Sequence, residues 1–304
     1  MAAVLFSGTS NPLLAASVAN RLNVKLGDIE ITRFIDNECR VYVKEKVAGK
    51  HAIVIQSLSQ IADQNLVELC LIGEALKSMG VSRLTAVIPW LGYSKQDKAF
   101  RRGEAVSAHL VAKFIETAGF ERVITVELHS ETVMPYFTIP VKEVSTHELL
   151  RSSFDSSRTP LAEWTVISPD RGGKSRSDRF AKTNGIPIVY LEKKRDLQSG
   201  NVTILGSSEN IRGESVIIFD DIINSGATAI KAGEFLTQHG AKHILLLATH
   251  AVLAGNASHD LSESPIDRFV VTDTIAITKD KMFPKLEVVS VAPLLAETIR
   301  VGLK

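Results

Sequence analysis

The segment Ser215–Lys231, SVIIFDDIINSGATAIK, decides the fold and points to a site. Its run Val216–Phe219 is entirely apolar, which is typical of a strand buried on both faces of a parallel sheet. The adjacent carboxylates Asp220 and Asp221 follow and predict the end of that strand. Small and turn-forming residues then open a helical pattern, namely Asn224, Ser225, Gly226, Ala227 and Thr228. We therefore expect a strand, a short polar loop and a helix.

This arrangement of residue types points to a particular chemistry. A loop of small residues before a helix leaves backbone N–H groups exposed, and the helix dipole favours an anion there. Carboxylates repel that anion, so Asp220 and Asp221 indicate a second group, either the hydroxyls of a sugar or a metal ion. A phosphate joined to a polyol describes a ribose phosphate. The alternative is an acidic strand end followed by an ordinary helix cap.

Length and charge limit the classes of protein. A chain of 304 residues suits two domains of about 150 residues each. The 35 basic and 34 acidic residues leave a net charge of +1, which gives no reason to expect nucleic acid or a membrane as partner. No apolar run reaches the length of a membrane span. Cys39 and Cys70 lack metal-ligand spacing, so we expect buried thiols in a reducing cytoplasm.

Short apolar runs alternate with helical patterns along the chain, which predicts doubly wound parallel sheets with ligands at the carboxyl ends of the strands. The series occurs twice, so we expect an α/β protein with tandem domains, residues 1–143 and 144–292, and residues 293–304 packing back on the first. The predicted strands are residues 4–6, 29–34, 40–44, 51–56, 84–88, 123–128, 165–168, 186–192, 202–205, 216–219, 243–249, 269–272 and 288–291. The predicted helices are residues 12–22, 63–79, 105–118, 147–154, 174–183, 227–239 and 294–301.

A second candidate phosphate loop follows the strand at residues 165–168. Its residues are Asp170, Arg171, Gly172 and Gly173. Two glycines at a helix start let the backbone approach phosphate oxygens, although such glycines are also ordinary turn geometry. His129 ends another predicted strand, where it would bind a metal together with Asp170 or form a hydrogen bond within the domain junction.

Two charged segments have two interpretations each. Lys193 and Arg195 follow the predicted strand 186–192, in a polar loop that would act on an anionic transition state if it closed. The segment Trp90–Gly103 contains Lys95, Lys98, Arg101 and Arg102, so it is too basic to be a core element and is expected to be a polar loop. The alternative for both is a solvated face.

Taken together, these residues resemble the ribose-phosphate diphosphokinases, also called phosphoribosyl diphosphate (PRPP) synthetases. The similarity extends over nearly the whole chain, from Phe6–Gly8 to Leu295–Arg300. The motifs that carry it are Arg83–Pro89, Tyr93–Lys98, Ser168–Asp170 and Asp220–Asp221. The loop Arg101–Ala105 is similar to the shorter, archaeal-type variants of the family.

The resemblance implies two tandem doubly wound domains of phosphoribosyltransferase type. It also implies transfer of the diphosphoryl group of ATP to the 1-hydroxyl of ribose 5-phosphate, which yields PRPP and AMP. Mg²⁺ is the implied cofactor, and a homo-oligomer built from dimers the implied assembly. The alternatives are a phosphoribosyltransferase, which uses PRPP as substrate, and a non-catalytic regulator with the same fold.

The resemblance also implies a role for particular residues. The ribose 5-phosphate set is Asp220, Asp221, Asn224, Ser225, Gly226, Ala227 and Thr228. The ATP set is Phe34, Asp36, Glu38, Lys95, Gln96 and Asp97. The diphosphate loop is Asp170–Gly173, and the Mg²⁺ ligands are His129 and Asp170. The catalytic pair, which neutralises charge on the transferred group, is Lys193 and Arg195.

Four residues depart from the pattern of the family. Its ribose-phosphate loop usually reads Asp-Asp-x-x-Asp-Thr-Gly-Gly-Thr, and here Asn224, Ser225 and Ala227 replace the third Asp, a Thr and a Gly. Asn224 removes a negative charge beside the phosphate, and Ala227 restricts the backbone. Lys95 stands where many members have Arg, so the planar fork of donors is lost while the positive charge remains.

Overall fold

The computed structural model describes residues 3–153, 163–169, 173–195, 202–208, 211 and 215–303. The strands within these residues are β1 (Ala3–Ser7), β2 (Ile29–Arg33), β3 (Cys39–Val43), β4 (His51–Ile55), β5 (Arg83–Ile88), β6 (Arg122–Val126), β7 (Val141–Val144), β8 (Trp164–Ser168), β9 (Ile188–Arg195), β10 (Val202–Ser207), β11 (Ser215–Ile223), β12 (His243–Ala251), β13 (Arg268–Thr272) and β14 (Leu286–Val289). The helices are α1 (Pro12–Leu22), α2 (Ala62–Ser78), α3 (Ser107–Thr117), α4 (His147–Ser152), α5 (Lys174–Asn184), α6 (Ala227–Gln238), α7 (Ala257–Ser262) and α8 (Ala292–Gly302). The same residues include 3₁₀ helices at Glu131–Tyr136 and Lys279–Lys281.

Packing divides the chain into two units. Unit 1 holds the residues up to Thr146, together with Thr274–Ala276 and the segment from Ser290 onward. Unit 2 holds His147–Asp273 and Ile277–Val289. Helix α8 lies in unit 1, where it packs against α1. The limits predicted for separate domains, residues 143 and 292, stay a prediction.

Unit 1 is built on a parallel sheet in the order β1-β4-β5-β6-β7, and it also contains the antiparallel hairpin β2–β3. Ala52 and Val54 of β4 pack into a core that includes residues of α2 and α3. The alternate residues Ile53 and Ile55 are buried as well. Because side chains alternate between the two faces of a strand, both faces of this sheet are covered.

Unit 2 is built on a sheet in the order β10-β9-β8-β11-β12-β13-β14, in which β9 and β10 pair antiparallel and the other neighbours pair parallel. Val216 and Ile218 of β11 belong to a core that includes residues of α6. The alternate residues Ile217 and Phe219 belong to a second core, where Phe180 of α5 stacks on Phe219 with ring centroids 4.2 Å apart. The apolar run that opened the sequence analysis is therefore buried on both faces, as predicted.

The direction of strand order reverses between β8 and β11. From β8 the chain continues outward to β9, whereas from β11 it continues outward to β12 on the other side. Ligands of doubly wound sheets bind outside the carboxyl ends of the strands at such a reversal. The prediction of parallel sheets with alternating helices is confirmed, and this reversal is the expected place for a site in unit 2.

Several element boundaries differ from the predictions because tertiary pairing extends the strands. β11 does not end before Asp220 but continues to Ile223, since it pairs with β12 up to Ala251. β9 continues through Lys193 because β10 pairs antiparallel with it. Strand β7 and helix α7 were not predicted.

Burial also differs from the predictions at a few positions. Trp90 and Leu91, at the start of the segment predicted as a polar loop, are 4% and 3% exposed and belong to the interior of unit 1. Cys39 and Cys70 are half-buried rather than buried. Burial raises the pKa of the Cys70 thiol to about 11, which keeps it protonated and argues against a redox role. Within the part of the chain that the structure describes, no helix is long and apolar enough to cross a membrane.

Candidate functional site

The carboxyl end of β11 is paired unequally with its two neighbouring strands. Among the described residues, the ladder between β8 and β11 runs from Ser215 to Ile218, whereas β12 pairs with β11 as far as Ile223. The backbone beyond Ile218 therefore stays extended in its ladder with β12. Asp220 and Asp221 lie in this stretch, at the reversal of strand order. The pairing pattern places both carboxylates where a ligand of a doubly wound sheet binds.

Arg176 of α5 forms ion pairs with both carboxylates. Its Nη1 lies 2.8 Å from Oδ1 of Asp221 and 3.7 Å from Oδ1 of Asp220. The Asp221 side chain is 2% exposed and that of Asp220 is 22% exposed. Burying a carboxylate costs several kcal/mol unless it is paired, so Arg176 is the cation that this pair of acids requires. Asp220, the more exposed of the two, is the better placed to accept hydrogen bonds from a sugar hydroxyl.

Sequence reasoning did not identify Arg176. It lies in the first turn of α5, two residues after Lys174. The available signal was a cation soon after the Gly-Gly pair, at the predicted start of a helix. The same chain has two adjacent carboxylates whose charge needs a partner. Asp220 and Asp221 were assigned a ligand from the sequence, but no residue was assigned to compensate their charge.

The loop that follows β11 is fixed by the segment after β12. The carbonyl of Ile223 accepts hydrogen bonds from the N–H groups of Val252 at 2.9 Å and Leu253 at 3.2 Å, and that of Asn224 accepts one from Ala254 at 2.9 Å. Asn224 and Ser225 are exposed at the surface of this loop. These backbone hydrogen bonds fix the conformation of the loop, and its exposed residues face solvent.

Gly226 makes the turn from this loop into α6. Its φ is +78°, in the left-handed region, and a Cβ there would lie 2.9 Å from the side chain of Leu261. α6 begins at the next residue, Ala227, and no side chain of the described residues caps its N-terminus. The first N–H groups of a helix without a side-chain cap are the donors that bind a phosphate. The half-buried Ala227 and Thr228 supply two of them.

The second candidate phosphate loop is described only at its end. Asp170, Arg171 and Gly172 lie outside the described residues. Gly173 precedes α5, which no side chain of the described residues caps, and its carbonyl accepts a hydrogen bond from the N–H of Ser177 at 3.0 Å. The Ser177 hydroxyl donates to the carbonyl of Phe219 in β11 at 3.3 Å. The start of α5 is thus bonded directly to the strand that carries the carboxylates.

Lys193 and Arg195 lie in strand β9 and not in a loop, which corrects the prediction for both backbones. Lys193 pairs with Ile204 of β10, and the antiparallel ladder reaches Arg195 opposite Val202. The charged sequence was interpreted as a loop because its residue types are rarely buried. β9 lies between β10 and β8, but among the described residues its ladder with β8 ends at Tyr190, so its charged end continues the sheet through its pairing with β10. An antiparallel pair accepts such residues when one of its faces meets water. The Lys193 side chain is half-buried, and that of Arg195 lies outside the described set.

In unit 1, the first three residues assigned to ATP lie at the tip of the hairpin β2–β3. Phe34, Asp36 and Glu38 are all exposed, Phe34 by 54%. The N–H of Phe34 donates to the carbonyl of Glu38 at 3.0 Å, and the Asp36 carboxylate accepts from the N–H of Glu38 at 3.2 Å. The turn is closed by its own hydrogen bonds and presents an aromatic ring together with two carboxylates.

The other three residues of that set lie between β5 and α3. Lys95 and Gln96 are exposed, whereas Asp97 is 9% exposed. Burial raises the pKa of the Asp97 carboxyl, but hydrogen bonds from Thr132 and Ser130 act in the opposite direction and hold the pKa below its ordinary value. Asp97 is therefore ionised and buried, whereas Lys95 and Gln96 are exposed.

His129 lies three residues beyond the end of β6 at Val126, so the prediction that it ends the strand was wrong by that interval. The strand stops because Glu127 adopts a φ of +33°. That side chain is buried, and it accepts hydrogen bonds from the Ser145 hydroxyl and the N–H of Thr146, both at 2.7 Å. These bonds hold the loop that presents the half-buried His129.

The described residues contain no group of three or more His, Cys, Asp or Glu side chains that would hold a metal ion by themselves. His129 and the ATP set belong to unit 1, while Asp220, Asp221 and the phosphate loop belong to unit 2. Within unit 2 the structure brings Arg176, Asp220, Asp221 and the start of α6 to one sheet edge. It gives no position for Asp170, the second predicted metal ligand.

Comparison with known proteins identifies similar chains over the full length. A model of the N-terminal domain of ribose phosphate pyrophosphokinase matches residues 3–119, and a model of the phosphoribosyl synthetase-associated domain matches residues 172–303. Ribose-phosphate pyrophosphokinases of Caldanaerobacter subterraneus subsp. tengcongensis and of Ralstonia nicotianae are each 37% identical to this chain, over 97% of it and 93% of their own length. These two relatives are bacterial, and the expected archaeal-type variant is not supported.

A solved structure is similar over the same extent. The crystal structure of phosphoribosylpyrophosphate synthetase from Mycobacterium smegmatis matches with a TM-score of 0.93 at 34% identity, covering 100% of this chain and 99% of that one. The predicted fold class, tandem parallel-sheet domains of phosphoribosyltransferase type, is thereby confirmed.

The ion pair of Arg176 yields a first prediction. Arg176→Met leaves the buried carboxylate of Asp221 without its cation, and breaking a buried pair in this way costs about 3–5 kcal/mol. The sequence contains two tryptophans, of which Trp90 lies in unit 1 and Trp164 in unit 2. In a Trp90→Phe background, Trp164 fluorescence during urea denaturation will therefore report the loss of stability in unit 2.

The matched control is Lys231→Met in the same unit. Lys231 pairs with Glu234 at 2.7 Å, but these side chains are 48% and 43% exposed, and such surface pairs contribute about 0.3–0.5 kcal/mol. If both variants lost the same small amount, the pair with Asp221 would have no special role in holding the site.

Proposed function

Because the chain belongs to the ribose-phosphate pyrophosphokinase family, we propose that it transfers the diphosphoryl group of ATP to the 1-hydroxyl of ribose 5-phosphate. The products are PRPP and AMP. The observation that carries the proposal is the carboxyl end of β11, where two carboxylates precede a helix start that no side chain of the described residues caps. These groups suit the hydroxyls and the phosphate of one sugar phosphate.

Ribose 5-phosphate binds along the end of β11 in this proposal. The N–H groups of the loop Asn224–Gly226 and of Ala227 and Thr228 hold the 5-phosphate, helped by the dipole of α6. Asp220 accepts hydrogen bonds from the ribose hydroxyls. Asp221 contributes to the same contact from its pair with Arg176, which keeps a net charge of about −1 on the three groups.

The transferred diphosphoryl group meets the second loop and β9. Asp170–Gly173 form the diphosphate loop, and Lys193 and Arg195 neutralise the charge that develops on the group as it moves. The position of Lys193 in β9, next to the strand β8 that leads into the loop, supports this role. A lysine fixed on a strand needs less reorganisation than one in a free loop.

ATP binds to unit 1 residues in this proposal. Phe34, Asp36 and Glu38 receive the adenine at the tip of the hairpin, and Lys95 and Gln96 contact the nucleotide from the segment before α3. The exposed aromatic ring of Phe34 supports stacking on a base. Asp97 lies in the same segment, although its carboxylate is engaged by Thr132.

Mg²⁺ is proposed as the cofactor, held by His129 and Asp170 together with phosphate oxygens. Mg²⁺ usually keeps several waters and binds one or two carboxylates plus substrate phosphates, not an all-protein cage. Two protein ligands completed by phosphate oxygens would suit an ion of this kind. When bound, it would neutralise phosphate charge and orient the diphosphoryl group.

The residues of the chain suit a reaction that depends on positioning. The 1-hydroxyl oxygen of the sugar attacks the β-phosphorus in line, the new O–P bond forms, and the bond from that phosphorus to the α-phosphate oxygen breaks to release AMP. Such a transfer needs alignment and charge neutralisation more than a strong protein base. Asp220 aligns the sugar, the start of α6 anchors it, and Lys193 and Arg195 neutralise the moving charge.

We also propose the cytoplasm as the location, since the described cysteines Cys39 and Cys70 are free thiols. A homo-oligomer built from dimers is proposed from the family resemblance, as are partners limited to small molecules. The net charge of +1 gives no reason to propose nucleic acid or a membrane as a partner.

An assay for AMP tests the function. The purified chain with ATP, ribose 5-phosphate and Mg²⁺ should release AMP and form PRPP in equal amounts, and omission of the sugar should stop both. A phosphoribosyltransferase would instead consume PRPP with a base and release diphosphate. A non-catalytic regulator would do neither, and a chain that behaves in either of these ways would refute the proposal.

Lys193→Ala tests the transition-state role of that lysine. We expect kcat to fall by about two orders of magnitude or more, because a charge that acts on the transition state contributes little to ground-state binding. Affinity for a non-hydrolysable ATP analogue, measured by calorimetry, should change by less than about twofold. The control is Lys231→Ala on α6, an exposed lysine paired with Glu234. Equal losses in binding and turnover would contradict the role.

Gly226→Ala tests the phosphate loop. Alanine in the left-handed region costs about 1–2 kcal/mol, and its Cβ would press on Leu261, so the KM for ribose 5-phosphate should rise about tenfold while that for ATP stays constant. The matched control is Gly240→Ala just beyond the other end of α6, where φ is +93° and nothing lies within 4 Å of the added Cβ. A rise in both KM values, or the same rise in the control, would argue against a phosphate at this loop.

A further inference from the structure

The segment Tyr93–Lys98 of unit 1 is held by α2 and α3. Tyr93 adopts a φ of +66°, and its hydroxyl donates to the carboxylate of Asp63 in α2. The carbonyl of Gln96 accepts from the N–H of Ala108 in α3 at 3.2 Å, and the Gln96 side-chain oxygen accepts from the Ser107 hydroxyl at 2.7 Å. A left-handed tyrosine is costly and persists only where its surroundings fix it.

Asp97 attaches the same segment to a third element, the 3₁₀ helix Glu131–Tyr136. Its Oδ2 accepts a hydrogen bond from the Thr132 hydroxyl at 2.6 Å, and the Ser130 hydroxyl lies 2.7 Å from that of Thr132. The backbone carbonyl of Asp97 accepts from the Tyr136 hydroxyl at 2.6 Å. Ser130 directly follows His129 in the sequence, so these bonds reach from the ATP segment to the loop that presents the histidine.

The burial of Asp97 distinguishes it from its neighbours. At 9% exposure it has little surface left for a ligand, whereas Lys95 and Gln96 are exposed. A buried carboxylate would also repel the phosphates of a nucleotide. Hydrogen bonds from hydroxyls to a carboxylate are about twice as strong as neutral ones. The charge of Asp97 is therefore suited to fastening two segments together rather than to touching ATP.

We propose that Asp97 is a positioning residue, whose carboxylate holds Lys95 and Gln96 in register with the segment that follows His129. This inference rests on the proposed function, because those three residues are the ones assigned there to ATP and Mg²⁺. The role differs from the direct ATP contact that the resemblance implies for Asp97. Loss of the fastening would weaken nucleotide binding and leave the sugar site of unit 2 unaffected.

The test uses both ends of the hydrogen bond. Asp97→Asn removes the charge, and Thr132→Val removes the donor while Asp97 stays intact. We expect each variant to raise the KM for ATP about five- to tenfold, to change that for ribose 5-phosphate by less than twofold, and to leave kcat within about twofold. Because the two groups act through one bond, the double variant should be no worse than Asp97→Asn alone.

The matched control is Thr138→Val. The Thr138 hydroxyl donates to a carboxylate oxygen of Glu116 at 2.9 Å, just beyond the same 3₁₀ helix, so this variant removes an equivalent bond that does not involve Asp97. It should leave both KM values unchanged. A defect in Asp97→Asn with a silent Thr132→Val would mean that Asp97 contacts ATP directly. Two silent variants, additive defects, or an equal defect in Thr138→Val would also overturn the proposal.

A second measurement does not depend on turnover. In the wild-type chain without substrates, hydrogen exchange should be slow at residues 93–97 and 130–137. Both variants should exchange faster than wild type in both segments. If the wild-type chain released no AMP, the proposed function would fail while the exchange data still decided the fastening. Unchanged exchange in both variants would refute the fastening even in an active enzyme.

Discussion

The unequal pairing of β11 is the constraint on which the site depends. Among the described residues, its ladder with β8 covers Ser215 to Ile218, and its ladder with β12 continues to Ile223. A strand that lost both neighbours after Ile218 would not hold its backbone extended. The continued ladder with β12 fixes the backbone that carries Asp220 and Asp221. The loop and α6 then start from a defined point, which backbone bonds to the segment after β12 secure.

Arg176 compensates the negative charge of the two carboxylates. Its ion pairs also link the two loops of unit 2 that are proposed to bind phosphate groups. Arg176 lies in the first turn of α5, directly after the loop that ends at Gly173. Its ion pair with Asp221 and the hydrogen bond from Ser177 to Phe219 both join α5 to β11. These two contacts help to fix the distance between the start of α5 and the strand that leads to α6. An enzyme that transfers a diphosphoryl group onto a bound sugar needs that distance to be constant.

The sequence predicted the elements of the chain better than it predicted their ends. Apolar runs such as Val216–Phe219 are local signals and gave the correct elements. Strand ends depend on the neighbouring strand, so β9 was ended too early and β7 was missed. Arg176 could not be found from local patterns, because its partner lies 45 residues away in the sequence and only the fold brings them together. The assignment of Asp97 met the same limit, since its engagement by Thr132 joins two loops.

The departures from the family's ribose-phosphate loop can be weighed against this geometry. Among the described residues of the loop, positive φ falls on Gly226 and not on Ala227, which is the first residue of a right-handed helix and has no need of glycine's freedom. Ala227 therefore excludes no backbone conformation that the fold requires. Because alanine is a better helix former than glycine, it favours α6 by about 1 kcal/mol. Asn224 takes part in the loop through its backbone carbonyl, which accepts from Ala254, so the change from Asp leaves that bond in place. It removes one negative charge near the start of α6, where we propose that the phosphate binds, so the repulsion of that phosphate is smaller. Both substitutions thus preserve the part of the loop that the backbone builds and change only the field around it.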